Sequence, residues 1–240
     1  MTKSRLDQEM VNRSLVDTRS QAENYIKLGY VIVDKKIVKK PGTLVSEEQK
    51  IKLILREQYV SRAGLKLASV AKTLGVNFND AVVLDVGSST GGFTDYALQN
   101  GARKVIAVEL GTNQMHPKLR KDERIELHEK TDINYVKILS EKPDIVVIDV
   151  SFVSLREILP AVNRLSGESA QVIAMVKPQF EAVNVGQKHK GVIKNDRIRR
   201  DILKDFEHWV QKLFIICDKA DSDVAGSKGN RERFYLLKSV

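Results

Sequence analysis

Four apolar runs, VVLDV (82–86), KVIAVEL (104–110), DIVVIDV (144–150) and QVIAMVK (171–177), recur along the chain, each bounded by turn or helix-forming residues. Such runs are apolar on both faces of a pleated strand. They need cover on both sides, which a parallel sheet with helices on each face supplies. The segments between them fit this arrangement. SRAGLKLASVAKTLG puts Leu67, Ala71 and Leu74 on one helical face and stops at Gly75, and DRIRRDILKDFEHWVQKLF carries Ile198, Ile202, Phe206, Trp209 and Leu213 at steps of three to four. LFIICD and RFYLLKSV read as two closing strands joined by a glycine-bearing loop, with Cys217 as a buried strand residue. Residues 61–240 are therefore expected to form a Rossmann-like, doubly wound α/β sheet.

Residues 1–60 have a different texture. Leu6, Met10, Val11 and Leu15 fall at helical spacing, and Thr18 with Gln21, or Ser20 with Glu23, offers a capping box for a second helix that Gly29 would end. YVIVD alternates as a strand, DKK turns, and another short strand is expected around Thr43 to Val45. A small α+β domain ahead of a larger α/β domain is the natural division of 240 residues.

Composition narrows the function classes. Lys and Arg number 40 against 31 acidic residues, for a net charge of +9. That field concentrates polyanions. Residues 1–60 hold 12 basic against 8 acidic residues, with Arg5, Arg13 and Arg19 on or beside the two helices, where guanidiniums can track phosphates. No apolar run approaches the roughly 20 residues that cross a bilayer, and the start MTKSRLDQEM has no signal-peptide core, so a cytoplasmic protein without a membrane partner is expected. A single cysteine rules out an internal disulfide, and the four histidines lack ligand spacing; no metal site is expected.

VVLDVGSSTGGFTDYALQNGA is the most informative stretch: a buried strand, a glycine-rich turn and a helix. It lacks the Gly-Lys-Ser/Thr ending of a phosphate loop and the early G-x-G that approaches a pyrophosphate. Glu109 at the end of the next strand, placed to hold ribose hydroxyls, suits a dinucleotide dehydrogenase as well, whereas Asp85 just before the turn and the missing G-x-G favour a cofactor without phosphates. Asp85, Gly87, Ser88, Gly91, Gly92, Phe93 and Glu109 are the expected cofactor residues, with Asp132 in TDI as an acceptor for an adenine amine.

RLD followed by TRSQAENYIKLGYVIVD resembles the RNA-binding module shared by a small-subunit ribosomal protein and several RNA-modifying enzymes. SRAGLKL, DVGSSTGGFTDYALQNGA, VIDVSFVSL, VKPQFE and GNRERFYLL, in this order, resemble the TlyA family, historically labelled haemolysin A and similar to FtsJ-type ribose 2′-O-methyltransferases. The resemblance implies an S-adenosylmethionine-dependent enzyme acting on ribosomal RNA or ribosomal subunits. It also implies a Lys-Asp-Lys-Glu tetrad that falls on Lys66, Asp149, Lys177 and Glu232, with Asp149 also near the methyl donor. In that reading Lys177 serves as base or steers the attacking hydroxyl, Asp149 orients it, and Lys66 and Glu232 hold geometry and charge balance. The sequence departs from the family pattern at Glu109, where aspartate is expected, and at GTNQMHPKLR after it. The segment 181–200, with Lys188, Lys190 and Lys194, is either an RNA-closing loop or a solvated one. Two other classes compete: a membrane-active cytolysin, as the family label suggests, and an RNA-binding protein without catalysis.

Overall fold

In the computed structural model the described residues are 3–16, 18–27, 29–54, 59–182, 191–224, 226 and 229–240. They fall into two compact units, 1–58 with 223–229, and 59–222 with 230–240. Residues 223–229, read from sequence as part of the larger domain, thus group with the first unit. Among the described residues no helix is long and apolar enough to cross a membrane.

The first unit runs β1 (Lys3–Arg5), α1 (Leu6–Asn12), α2 (Arg19–Lys27), β2 (Val31–Val33), β3 (Lys36–Ile37), β4 (Leu44–Ser46) and β5 (Ile51–Leu53). Strand β1 pairs antiparallel with β4, and β2 lies between β3 and β5. Of the two capping boxes the sequence allows, Thr18 with Gln21 leads into α2, its Oγ1 accepting from the Gln21 N–H at 3.2 Å. Asp34 and Lys35 both have positive φ, 46° and 71°, making the two-residue turn that suits the twist of the β2–β3 hairpin. Leu6, Met10, Ala22, Ile26, Val31, Val33 and Val45 close the core. Strand β5 has no counterpart in the sequence reading.

The second unit opens with α3 (Arg62–Ala71), shorter than the sequence suggests because the chain turns through 72–75 to reach Gly75. There follow β6 (Val82–Val86), α4 (Gly92–Gln99), β7 (Lys104–Val108), β8 (Ile125–His128), β9 (Ile145–Ile148), α5 (Leu155–Leu165), β10 (Gln171–Val176), α6 (Pro178–Glu181), α7 (Asp196–Val210), β11 (Phe214–Asp221) and β12 (Arg233–Ser239). They form one seven-stranded sheet in the order β11-β12-β10-β9-β6-β7-β8. Pairings within β8-β7-β6-β9-β10 are parallel, and β12 runs antiparallel between β10 and β11. This is the doubly wound sheet expected from the apolar runs, with one reversed strand.

Alternation along each strand divides the core in two. Val83, Val105, Val147, Ile173, Met175 and Phe234 pack with Leu67 and Val70 of α3 and Ala97 of α4. Leu84, Ile106, Ile148, Val172, Ala174 and Tyr235 pack with α5 and α7 through Leu159, Val162, Phe206 and Val210. Cys217 is exposed rather than buried. The pairing of β11 with β12 slips between Ile216 and Asp218, so Cys217 is the extra residue of a bulge on the edge strand, outside the alternation that would bury it.

Candidate active site

Four strands carry an expected site residue at the first position beyond their carboxyl ends: Gly87 after β6, Glu109 after β7, Asp149 after β9 and Lys177 after β10. In an open parallel sheet these ends line the ligand crevice. Period two also fixes the face. Asp149 keeps step with Val147, Lys177 with Met175 and Glu232 with Phe234, all on the side covered by α3 and α4. Helix α3 carries Lys66 on that side. The register of β10 with β12 pairs Val176 with Arg233, so Lys177 and Glu232 follow as the next positions across the two strands.

The four side chains meet as two ion pairs. Lys177 Nζ lies 2.6 Å from Asp149 Oδ1 and donates to Ser151 Oγ at 2.7 Å, and Lys66 Nζ lies 2.6 Å from Glu232 Oε2. All four are largely removed from water; the most exposed, the Asp149 side chain, retains 16% of its accessible surface.

The glycine turn abuts this cluster. Gly87 has φ 80°, and a Cβ there would stand 2.8 Å from the Asp149 carbonyl oxygen, so the tips of β6 and β9 touch only because position 87 has no side chain. Gly91, at φ 91°, caps the start of α4, and a Cβ there would strike Leu119. The unusual segment after Glu109 is thus packed down on the turn through Leu119 and Met115. Glu109 also faces the turn, Oε2 accepting from Ser89 N at 2.8 Å and Oε1 from Gly111 N at 2.7 Å. Asp85 is fully buried beside α4 and accepts from Thr94 Oγ1 at 2.6 Å. Burial pushes its carboxyl up to about 7 against the pull of Thr94, with the charges of Asp149 and Glu109 adding to the rise. Its Oδ1 and the buried Ser88 Oγ have no hydrogen-bond partner among the described residues.

Two expected cofactor residues have other attachments. The Phe93 ring is buried in the core, 6.1 Å from that of Phe234, so only its backbone is available to a ligand. Asp132 lies beyond the end of β8 and caps the 3-10 turn Ile133–Tyr135, accepting from Asn134 N at 2.9 Å.

In the first unit the buried Asp7 gathers two of the three arginines. Arg5 binds it with two hydrogen bonds of 3.0 Å, and Arg19 Nε reaches it at 2.7 Å. Their guanidiniums outweigh the cost of burial and hold the Asp7 carboxyl at about 2. Arg13 is engaged internally, with Glu9 at 2.7 Å and the backbone oxygens of Gln49, Ser46 and Glu47 at 2.8 to 3.2 Å. It staples α1 to the turn before β5 rather than facing a ligand. Lys188 and Lys190 lie outside the described residues, and Lys194 is exposed.

A family model for FtsJ-like methyltransferases matches residues 59–239. The chain belongs to this family. A second model, the S4 domain, matches residues 4–51. The Campylobacter jejuni 23S rRNA (cytidine-2′-O)-methyltransferase TlyA is 40% identical over 184 residues, covering 76% of this chain and 72% of that protein. Hemolysin A of Brachyspira hyodysenteriae is 34% identical, covering 98% and 99%. A solved Streptococcus thermophilus protein carrying the hemolysin label is 36% identical with a TM-score of 0.74, over 100% of this chain and 90% of that one.

The methyltransferase unit holds three residues near the tetrad that sequence reasoning passed over. Ser151 receives the Lys177 bond. Phe152, at φ 67° and 89% exposed, stands 5.3 Å from Phe180, an exposed aromatic in a conformation that bulky residues seldom adopt. Glu181 is buried, its carboxyl pushed up by burial against the pull of Ser154 and Leu155. The signals were the two motifs VIDVSFVSL and VKPQFE themselves, whose polar members exceed what strand ends require.

Proposed function

We propose that this protein transfers a methyl group from S-adenosylmethionine to a ribose 2′-hydroxyl of ribosomal RNA in the cytoplasm. The single observation that carries the reading is the meeting of Lys66, Asp149, Lys177 and Glu232 as two buried ion pairs beside the glycine turn. The names borne by the relatives support the substrate class, and the Campylobacter jejuni protein makes cytidine the first nucleotide to examine.

The residues at the turn fit the cofactor. Ser88 Oγ and Asp85 Oδ1 offer buried polar atoms without partners among the described residues, Gly87 lets the turn close on the Asp149 backbone, and Glu109 carries an acid suited to ribose hydroxyls. When bound, S-adenosylmethionine supplies an electrophilic methyl group on a sulfonium. The protein's part is to orient the hydroxyl and hold its proton. Lys177 Nζ donates to Ser151 Oγ and stands 2.6 Å from Asp149 Oδ1. Once this ammonium has released a proton to solvent, the nitrogen accepts the hydroxyl proton as the oxygen attacks. Asp149 then balances the ammonium that forms. Lys66 and Glu232 neutralise each other, so Asp149 carries the uncompensated charge of the cluster until Lys177 takes up the proton. Bringing the hydroxyl into line contributes most, since near-attack positioning is worth roughly 7–11 kcal/mol.

The first unit contributes RNA affinity through Arg5 and Arg19, whose guanidiniums Asp7 holds side by side. The test is transfer of labelled methyl from S-adenosylmethionine to ribosomal RNA or subunits, followed by nucleoside analysis. Wild-type protein places label in a 2′-O-methylnucleoside, and Lys177→Ala, folded by circular dichroism, loses about 100- to 10,000-fold in rate. Label on a base, or a normal rate in the variant, overturns the reading.

A further inference from the structure

The loop that follows Asp149 is anchored at both ends by residues that follow β10. At its near end Lys177 holds Asp149 and Ser151. At its far end Glu181, four residues further along the same segment, accepts from Ser154 Oγ at 2.6 Å and from Leu155 N at 2.7 Å. Ser154 in turn caps α5, accepting from Arg156 N at 3.2 Å. The carboxylate therefore seats on the first turn of an 11-residue helix, where N–H groups lack intrahelical partners. Arg156 Nε stands 3.6 Å from it, steadied by Asp205 and by the Trp209 ring 5.4 Å away. Between the two anchors lies Phe152 with its left-handed backbone, a conformation that persists only where its surroundings enforce it.

We propose that Glu181 is a positioning residue for methyl transfer: by binding Ser154 and Leu155 it holds the 150–154 loop so that Ser151 stays on the Lys177 amine and Phe152 stays turned outward beside it. Glu181 touches no reacting atom. It acts through the loop, and the coupling runs from a helix-terminal carboxylate to the amine across the gap between β9 and β10. A purely structural cap would stabilise α5 and nothing more; the proposal requires that the state of Lys177 change when the far anchor is released.

This inference rests on the function proposed above, so its test has one arm that needs no turnover. In the cofactor-free protein with ¹³C-labelled lysine, Glu181→Gln moves the Lys177 ε-carbon resonance in the same direction as Ser151→Ala. In methylation assays Glu181→Gln lowers kcat about 10- to 100-fold, the scale of a small misplacement at a reacting centre, while KM for S-adenosylmethionine stays within about twofold. Combining Glu181→Gln with Ser151→Ala gives no larger kcat loss than the worse single change, because both break one linkage. Ser154→Ala removes the Oγ bond to Glu181 together with the cap on Arg156 N and leaves Leu155 N on the carboxylate; it carries the same tests with a loss of about threefold, should Glu181→Gln fail to fold. An unmoved Lys177 resonance, a kcat loss that tracks thermal stability alone, or additive losses in the double variant each overturn the proposal. If wild-type protein leaves ribose unmethylated while the resonance moves as stated, the function reading fails and the linkage stands.

Discussion

Asp7 in the first unit is one buried carboxylate shared by two guanidiniums whose side chains remain 46% and 53% exposed, whereas the second unit sets two lysines against two carboxylates, one to one, with no side chain more than 16% exposed. Glu23 also lies 3.7 Å from Arg19 and 4.0 Å from Lys27, so in the first arrangement three cations share two carboxylates and the positive charge left over faces water, where a polyanion can reach it. The second leaves none over and shuts water out. A charge facing solvent acts at long range, weakly and subject to salt. A charge pair out of solvent acts only on what is placed beside it, and losing one partner is costly. On the function proposed above, the contrast separates holding an RNA from reacting with it, and each side of it can be broken independently.

The largest effect is expected where the burial is deepest. Glu232→Gln leaves the Lys66 ammonium without its partner, and the variant should lose about 3–5 kcal/mol in denaturant unfolding along with its methyl transfer. Lys66→Met with Glu232→Leu removes both charges and should recover most of that stability, since apolar replacements of a buried pair are often neutral, yet it should remain inactive. If the double variant regains turnover, the Lys66–Glu232 pair is scaffolding and the charge-balance account of the site is wrong.

How much of this site was legible beforehand depended on whether chemistry or contact decides a residue's place. Glu109, Asp149 and Lys177 each end an apolar run, and a charged residue at the carboxyl end of a buried strand advertises itself. The family likeness supplied Lys66 and Glu232, but their mutual pairing needed the sheet, because only the antiparallel insertion of β12 next to β10 brings position 232 level with 177. Ser151 and Glu181 were invisible for the same reason: their partners are fixed by the adjacency of β9 and β10, which no local spacing encodes. Cys217 misled because a bulge shifts one residue out of step, and alternation read from sequence carries no record of a bulge. Arg13 looked identical to Arg5 and Arg19 along the chain; the turn before β5 that engages it was not anticipated.

That difference among the arginines gives the second prediction. Arg5→Ala with Arg19→Ala should weaken ribosomal RNA binding about 30-fold at physiological salt and lower the slope of log affinity against log salt by about 2, with cofactor affinity unchanged in calorimetry. Arg13→Ala should instead lower the melting temperature of the first unit and leave the salt slope as it was. Equal slopes for all three single variants would mean that the internal bonds of Arg13 do not keep it from phosphates.

The smallest and most discriminating comparison sets Asp7 against Asp85, two carboxylates with no accessible surface whose environments push them in opposite directions. Asp7 is held at about 2 by its two guanidiniums, below its unfolded value near 3.8, so the stability it contributes is present above about pH 4 and lost as pH falls toward 2. Asp85 is raised to about 7 by burial, so the folded protein keeps a proton there that the unfolded chain gives up from about pH 4, and stability falls as pH climbs from 4 to 7. Asp85→Asn, which cannot ionise, should therefore gain on wild type by a few degrees in melting temperature as pH rises through that window. Asp7→Asn should be destabilised near neutrality and converge on wild type as pH falls toward 2. Each effect is read at the transition of its own unit. Since neither residue has accessible surface, a pair of difference curves with the same slope would show that the guanidiniums of Arg5 and Arg19 do not hold Asp7 in its charged form.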